Sequence, residues 1–190
     1  DPNKKAIRGY VDIEYNVVEN FDRLQIDLFE NMKINRILQG EEELKYEREY
    51  NAVFVNFPEE QQAGSSGSIR VHYHGQPTVA ANAPWDGGFV WSEDRRGGDW
   101  IAVACEGTGA SLWWPNKDHL SDEPDSMRIS LTVPSKFMAV ANGNLEAVEE
   151  DDRTTRYDWL ISYPIDNYNV TLNIGHYAHF ADEYYAADGD

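Results

Sequence analysis

Cysteine is nearly missing from this chain: Cys105 is the only one among 190 residues. Its solitude excludes an internal disulfide and any cysteine-rich zinc site. Bases are also scarce, 16 against 34 acids, for a formal charge of −18. Such an excess repels nucleic-acid phosphates and anionic membranes, so both are disfavoured as partners, and its plain reading is solubility. No apolar run approaches the ~20 residues of a membrane-spanning helix. HExxH, a GxSxG elbow and a glycine-rich phosphate loop leading into a helix are all absent. By itself the chain shows no catalytic machinery. It opens on Asp1 with no signal-like segment, the pattern of a processed or trimmed chain, and this leans towards an extracytoplasmic (periplasmic or secreted) location.

What is present is a globular composition, 41% hydrophobic and 13% aromatic, in a chain long enough to bury a core as one domain over residues 1–190. The dominant hydrophobic period is two. It runs through Ile7, Val11, Ile13, Tyr15 and Val17, then Leu24, Ile26 and Leu28, then Val53, Val55 and Phe57, then Ile69, Val71 and Tyr73. It returns at Ile129, Leu131 and Val133, at Tyr157, Trp159 and Ile161, and at Val170, Leu172 and Ile174. Each set predicts a strand with one buried face and one wet one. The acidic run Glu41 to Tyr50 also fits a strand, because Leu44 and Tyr46 keep the period.

Pro58 to Gly67 reads as a polar loop, Gly75 to Gly98 as a long irregular stretch, and Asn142-Gly143 as a type I′ hairpin turn. The expected fold class is all-β: a mostly antiparallel saddle or sandwich of about a dozen strands.

Candidate ligand sites are few. His72 and His74 share one face of a strand about 7 Å apart, and as a pair lacking a third ligand they read as solvated histidines. The acids Asp122, Glu123 and Asp125 lack the alternating spacing of a calcium loop. No metal site is expected. Of six tryptophans, Trp159 belongs to a core strand, while Trp85, Trp91, Trp100, Trp113 and Trp114 crowd residues 85–114. Exposed, those five could bind a carbohydrate or a protein; buried, they would plug the end of a sandwich.

One stretch separates these readings. Glu106-Gly-Thr-Gly-Ala-Ser-Leu-Trp-Trp-Pro115 and Asp118 resemble the segment of the aminopeptidase N family of zinc metallopeptidases (gluzincins) in which a Gln or Glu ends a strand ahead of a proline and an acid. Tyr73-His74-Gly75, Gly88-Phe89-Val90-Trp91-Ser92, Asn142-Gly143-Asn144-Leu145, Ser162-Tyr163-Pro164, Asp166-Asn167-Tyr168 and Ile174-Gly175-His176-Tyr177 are similar to further family patterns, in the family's order. The resemblance implies the amino-terminal β-saddle domain of a zinc aminopeptidase, without the catalytic domain. Zinc would lie in that catalytic domain, which would be this domain's partner. Glu106 would bind the α-ammonium at a peptide substrate's N-terminus. Trp113, Trp114 and Asp118 would border the cleft or the domain interface. The alternative is a non-enzymatic β-sandwich module that binds carbohydrate or protein through the aromatics of 85–114. Two positions depart from the family: Ser111 stands where an arginine is common, and Asp122-Glu123-Pro124 is displaced from Pro115.

Overall fold

A computed structural model describes residues 1–183; the last seven residues of the expected 1–190 domain lie outside them. The fold is all-β and antiparallel, as the period-two pattern predicts, with thirteen strands in three sheets among the described residues. β1 (Ile7–Asn16), β2 (Phe21–Asp27), β3 (Met32–Gln39), β4 (Glu42–Glu49), β5 (Ala52–Gln61) and β6 (Ser66–Gly75) form a sheet in the order β1-β6-β3-β4-β5-β2. β7 (Gly88–Glu93), β8 (Asp99–Ala104), β10 (Met138–Ala141) and β13 (Leu172–Gly175) form a second, ordered β10-β13-β8-β7. β9 (Met127–Pro134), β11 (Asn144–Glu150) and β12 (Thr154–Ile161) form the third, ordered β11-β12-β9. No helix among the described residues is long and apolar enough to cross a membrane.

The first sheet curls upon itself. β1 and β2 are its two edges, yet Tyr15 and Phe21 bring their ring centroids to 5.8 Å, and both rings meet Phe57. Inside this curl, Ile26, Ile37, Leu44, Val53, Val55, Phe57, Ile69 and Val71 make a core that belongs to this sheet alone. The alternation of β-branched side chains with polar ones on these strands predicts that burial, because successive residues face opposite sides. A larger core joins all three sheets: Leu28, Met32 and Tyr73 from the first region, Phe89, Ile101 and Val103 from the second, Ile129 and Ile161 from the third.

Arg48 closes one end of the curled sheet. Its guanidinium donates to the carbonyls of Leu28 (2.5 Å), Met32 (2.8 Å) and Tyr50 (3.1 Å). One planar fork answers all three carbonyls. Partial burial lowers the pKa of the guanidinium from its ordinary value.

Three local expectations are corrected. Pro58 to Gln61 is strand, not loop, and β5 extends to Gln61. The register jumps from Arg23–Asn56 to Phe21–Gln61, so Pro58 falls in a bulge where its missing N–H is not needed. The stretch 75–98 contains β7, whose short Gly-Phe-Val-Trp run hides its period because Gly88 and Phe89 are both buried. Asn142-Gly143 is not a hairpin. β10 pairs with β13 and β11 with β12, so these two residues carry the chain from one sheet to another. Gly143 alone has positive φ, at +90°, whereas a type I′ turn needs it at both central residues. The Asn142 side chain instead accepts from Thr171 N (2.8 Å) and donates to Asn169 O (3.1 Å), tying the approach to β13.

Candidate functional site

β8 ends at Ala104, and the chain then turns tightly: the amides of Thr108 and Gly109 both donate to Cys105 O, at 3.1 and 2.9 Å. This turn lifts Glu106 out of the sheet with its side chain exposed, while Cys105 beneath it is buried. Burial pushes the Cys105 thiol up to about 11, so it stays protonated and unreactive at neutral pH. Among the described residues, the Glu106 carboxylate has one hydrogen-bond partner. The Tyr168 hydroxyl donates to Glu106 Oε2 across 62 residues of sequence. Tyr168 sits in a short 3-10 turn, Asn167–Asn169, capped by Asp166, whose side chain accepts from Tyr168 N at 2.8 Å. The pKa of Tyr168 is raised above the ordinary phenol value, first by its hydrogen bond to Glu106 and then by desolvation. At neutral pH the phenol therefore stays protonated and able to donate.

The loop beyond Glu106 is built around Asp118. Its carboxylate accepts from Ala110 N (3.2 Å), Ser111 N (3.0 Å) and Ser111 Oγ (2.6 Å), so it caps the 3-10 turn Ala110–Leu112. Gly109 makes the approach possible: its φ is +87°, and a Cβ there would collide with the carboxylate. Asp118 is thus a clamp within the loop. Ser111, the position where the aminopeptidase N pattern has an arginine, is buried at 3% exposure and spends its hydroxyl on that clamp.

The same loop is laced to the rest of the fold. Asn116 and Asp27 exchange two backbone hydrogen bonds, at 2.7 and 3.2 Å, which extends β2's edge by one bridge. Phe29 N donates to Ser111 O (2.9 Å), Asp118 N to Asp27 Oδ2 (3.1 Å), and Asn167 Nδ2 to Lys117 O (2.9 Å). The displaced Asp122-Glu123-Pro124 segment is held as well, by an ion pair from Lys117 to Asp122 and by Pro124 O accepting from Ile165 N.

Trp113 and Trp114 are core residues, exposed by only 6% and 7%. They pack edge-to-face on each other, and Trp113 packs on Phe89, which stacks on Trp91. With Leu112 and Ala110, both fully buried, they plug the junction of the three sheets. Buried this way, they present little surface to a cleft or a partner. A sugar-stacking platform needs exposed rings, and of the five tryptophans between 85 and 114 only Trp85 is largely exposed, at 73%.

His72 and His74 lie on the outward face of β6. Tyr10 packs on His72, and His74 Nδ1 is 2.8 Å from Asn35 Oδ1. The described residues contain no group of three or more His, Cys, Asp or Glu that could hold a metal ion.

No family model matches the sequence, and no curated protein matches it either. Solved structures do match. A two-domain M1 zinc metallopeptidase variant bound to L-tryptophan superposes with a TM-score of 0.78 at 21% identity, over 92% of this chain and 39% of that one. The chain has the fold of the matched part of that structure. The M1 zinc metallopeptidase from Deinococcus radiodurans matches with a TM-score of 0.74 at 20% identity, over 88% and 37% of the two chains. Its variant bound to a Tyr-Ser-Ala substrate gives 0.75 at 21%, with the same coverage. The chain thus spans under two-fifths of the length of these M1 structures.

Against the M1 likeness, the strand-end glutamate, its loop and the closing Asp166-Asn167-Tyr168 segment converge on one side of the fold. The sequence motifs place Glu106 and Tyr168 separately, and nothing in their spacing announces that they touch. The partnership depends on a tertiary contact between β8's end and the approach to β13.

Proposed function

We propose that this chain is a single β domain, residues 1–190, amino-terminal in a zinc-dependent aminopeptidase that removes N-terminal residues from peptides. In this reading the domain packs on a separate catalytic domain, which holds the zinc, and Glu106 contributes to binding the substrate's α-ammonium. The observation that carries it is the exposed Glu106 carboxylate, held at the end of β8 on a rigid turn within an M1-type fold. The motif resemblance around Glu106 and the fold likeness support the reading independently.

The chemistry suits the residue. A carboxylate accepts charge-assisted hydrogen bonds from an ammonium, stronger than those a neutral amide would accept. Holding the free amino terminus sets the first peptide bond at a constant distance from the reacting groups, which is a positioning contribution to rate. A glutamate accepts but cannot donate when ionised, so it favours a cationic amine over an acylated one.

Kinetics of the whole protein test this. Glu106→Ala is expected to lower kcat/KM for an aminoacyl chromogenic substrate about tenfold, roughly 1.4 kcal/mol, mainly through KM. The 1–190 chain alone, with zinc added, is expected to show no turnover. Unchanged kinetics in the variant would remove Glu106 from the site, and turnover by the chain alone would overturn the assignment of chemistry to a separate domain.

A further inference from the structure

We propose that Tyr168 is a positioning residue for Glu106: its hydroxyl pins one carboxylate oxygen, Oε2, and leaves Oε1 to accept from a cationic amine. The proposal rests on the reading of Glu106 as an ammonium anchor and adds a residue to that site.

Three features of the fold make Tyr168 suited to the task. It donates to Glu106 Oε2, and no ion pair engages that carboxylate among the described residues. A neutral donor orients the carboxylate while leaving its negative charge in place; an arginine or lysine there would neutralise the charge the substrate needs. The tyrosine is itself immobilised. Its ring is partly buried against the large core. Its backbone amide is held by Asp166, and the preceding Asn167, exposed by only 4%, is tied to Lys117 O.

An exposed glutamate samples several rotamers, and fixing such a side chain costs conformational entropy. With Tyr168 in place much of that ordering precedes substrate, so binding does not have to supply it. The raised ionisation of Tyr168 agrees with this arrangement, since both the hydrogen bond and the neighbouring charge favour the protonated phenol.

Two measurements test the proposal, one of which needs no activity. The 1–190 chain with 13Cζ-labelled tyrosine is titrated by NMR, with Tyr168 assigned by Tyr168→Phe. In wild type Tyr168 should ionise above the ordinary phenol pKa, and Glu106→Ala should bring it down. An unchanged Tyr168 titration in Glu106→Ala would show that the pair does not exist in solution and would overturn the proposal.

The second measurement is a double-mutant cycle on the whole protein with an aminoacyl substrate. Tyr168→Phe should raise KM about fivefold with kcat within twofold, and its effect should fall below twofold in the Glu106→Ala background. If Glu106→Ala raises KM but Tyr168→Phe does not, the tyrosine's role is lost and the anchor stands. The same follows if the Tyr168→Phe effect persists in full without Glu106, because it is then merely structural. If Glu106→Ala itself leaves KM unchanged, the anchor reading falls and takes the positioning role with it.

Discussion

Trp113→Ala is expected to destabilise the fold by about 4 kcal/mol, within the range for truncating a buried tryptophan. The ring packs on Phe89 and Trp114 at the place where all three sheets contribute to one core. Its removal leaves a cavity beside Phe89 and Trp114, and these resist collapsing together because Phe89 is held on β7 while Trp114 is held by the 105–118 loop. At roughly 2–4 °C per kcal/mol for a chain of this size, the midpoint of thermal unfolding should fall by about 10 °C. The urea midpoint should fall with an unchanged slope, the sign of lost stability without a change in compactness. Trp113→Phe keeps most of the packing and should cost about half as much. A loss below about 1 kcal/mol for the alanine variant would refute the core-plug role.

Asp118→Ala should cost about 3 kcal/mol, although the residue is polar and only partly buried. The carboxylate answers two backbone amides and one hydroxyl, on Ala110 and Ser111, residues exposed by 0% and 3%. Alanine leaves those donors, on buried residues, without their acceptor, and each such orphan costs ~1–3 kcal/mol, less than additively because they share one acceptor. Asp118→Asn separates charge from geometry. Its amide oxygen can serve the Ser111 pair, but its NH2 would meet the Ala110 N–H donor to donor. Chemical denaturation should therefore rank wild type, Asn and Ala in that order. An alanine variant as stable as wild type would refute the clamp.

Much of this fold is legible in the alternation of side chains, and its limits are physical. Val53, Val55 and Phe57, or Ile69, Val71 and Tyr73, stand out because one face is buried and the other wet, and the structure buries all six. β3 escapes notice because Met32, Ile34 and Ile37 straddle a bulge between Ile34 and Arg36 that breaks the period. β7 escapes because both its first residues are buried, which erases the alternation. Asn142-Gly143 misleads for a different reason: the dipeptide does make a sharp turn, but which strands pair on either side is decided by sheets formed far away in sequence.

At the candidate site, the resemblance picks out Glu106 and Asp118, and only coordinates separate their roles. Both are acids flanking the same loop. One faces solvent and takes a single phenol; the other faces inward and takes three donors. The tryptophans are ambiguous by composition alone, since indoles serve equally in cores and on binding surfaces.

The lacing of the 105–118 loop bears on how the candidate site responds to stress. Asp27 and Asn116 share two backbone hydrogen bonds, and Phe29 adds a third through Ser111. The loop is therefore a member of the first sheet as well as a continuation of the second. Long surface loops commonly open by themselves, and their amides then exchange with solvent faster than those of the core. Here that route is closed, because freeing the loop means tearing an edge from one sheet and withdrawing the indoles from the junction of all three. Hydrogen exchange is expected to place the amides of Asp27, Phe29 and Ser111 among the slowest of the molecule. The geometry at Glu106 is therefore expected to be lost together with the global fold rather than ahead of it, which limited proteolysis under native conditions would check by the absence of early cuts at residues 110–118.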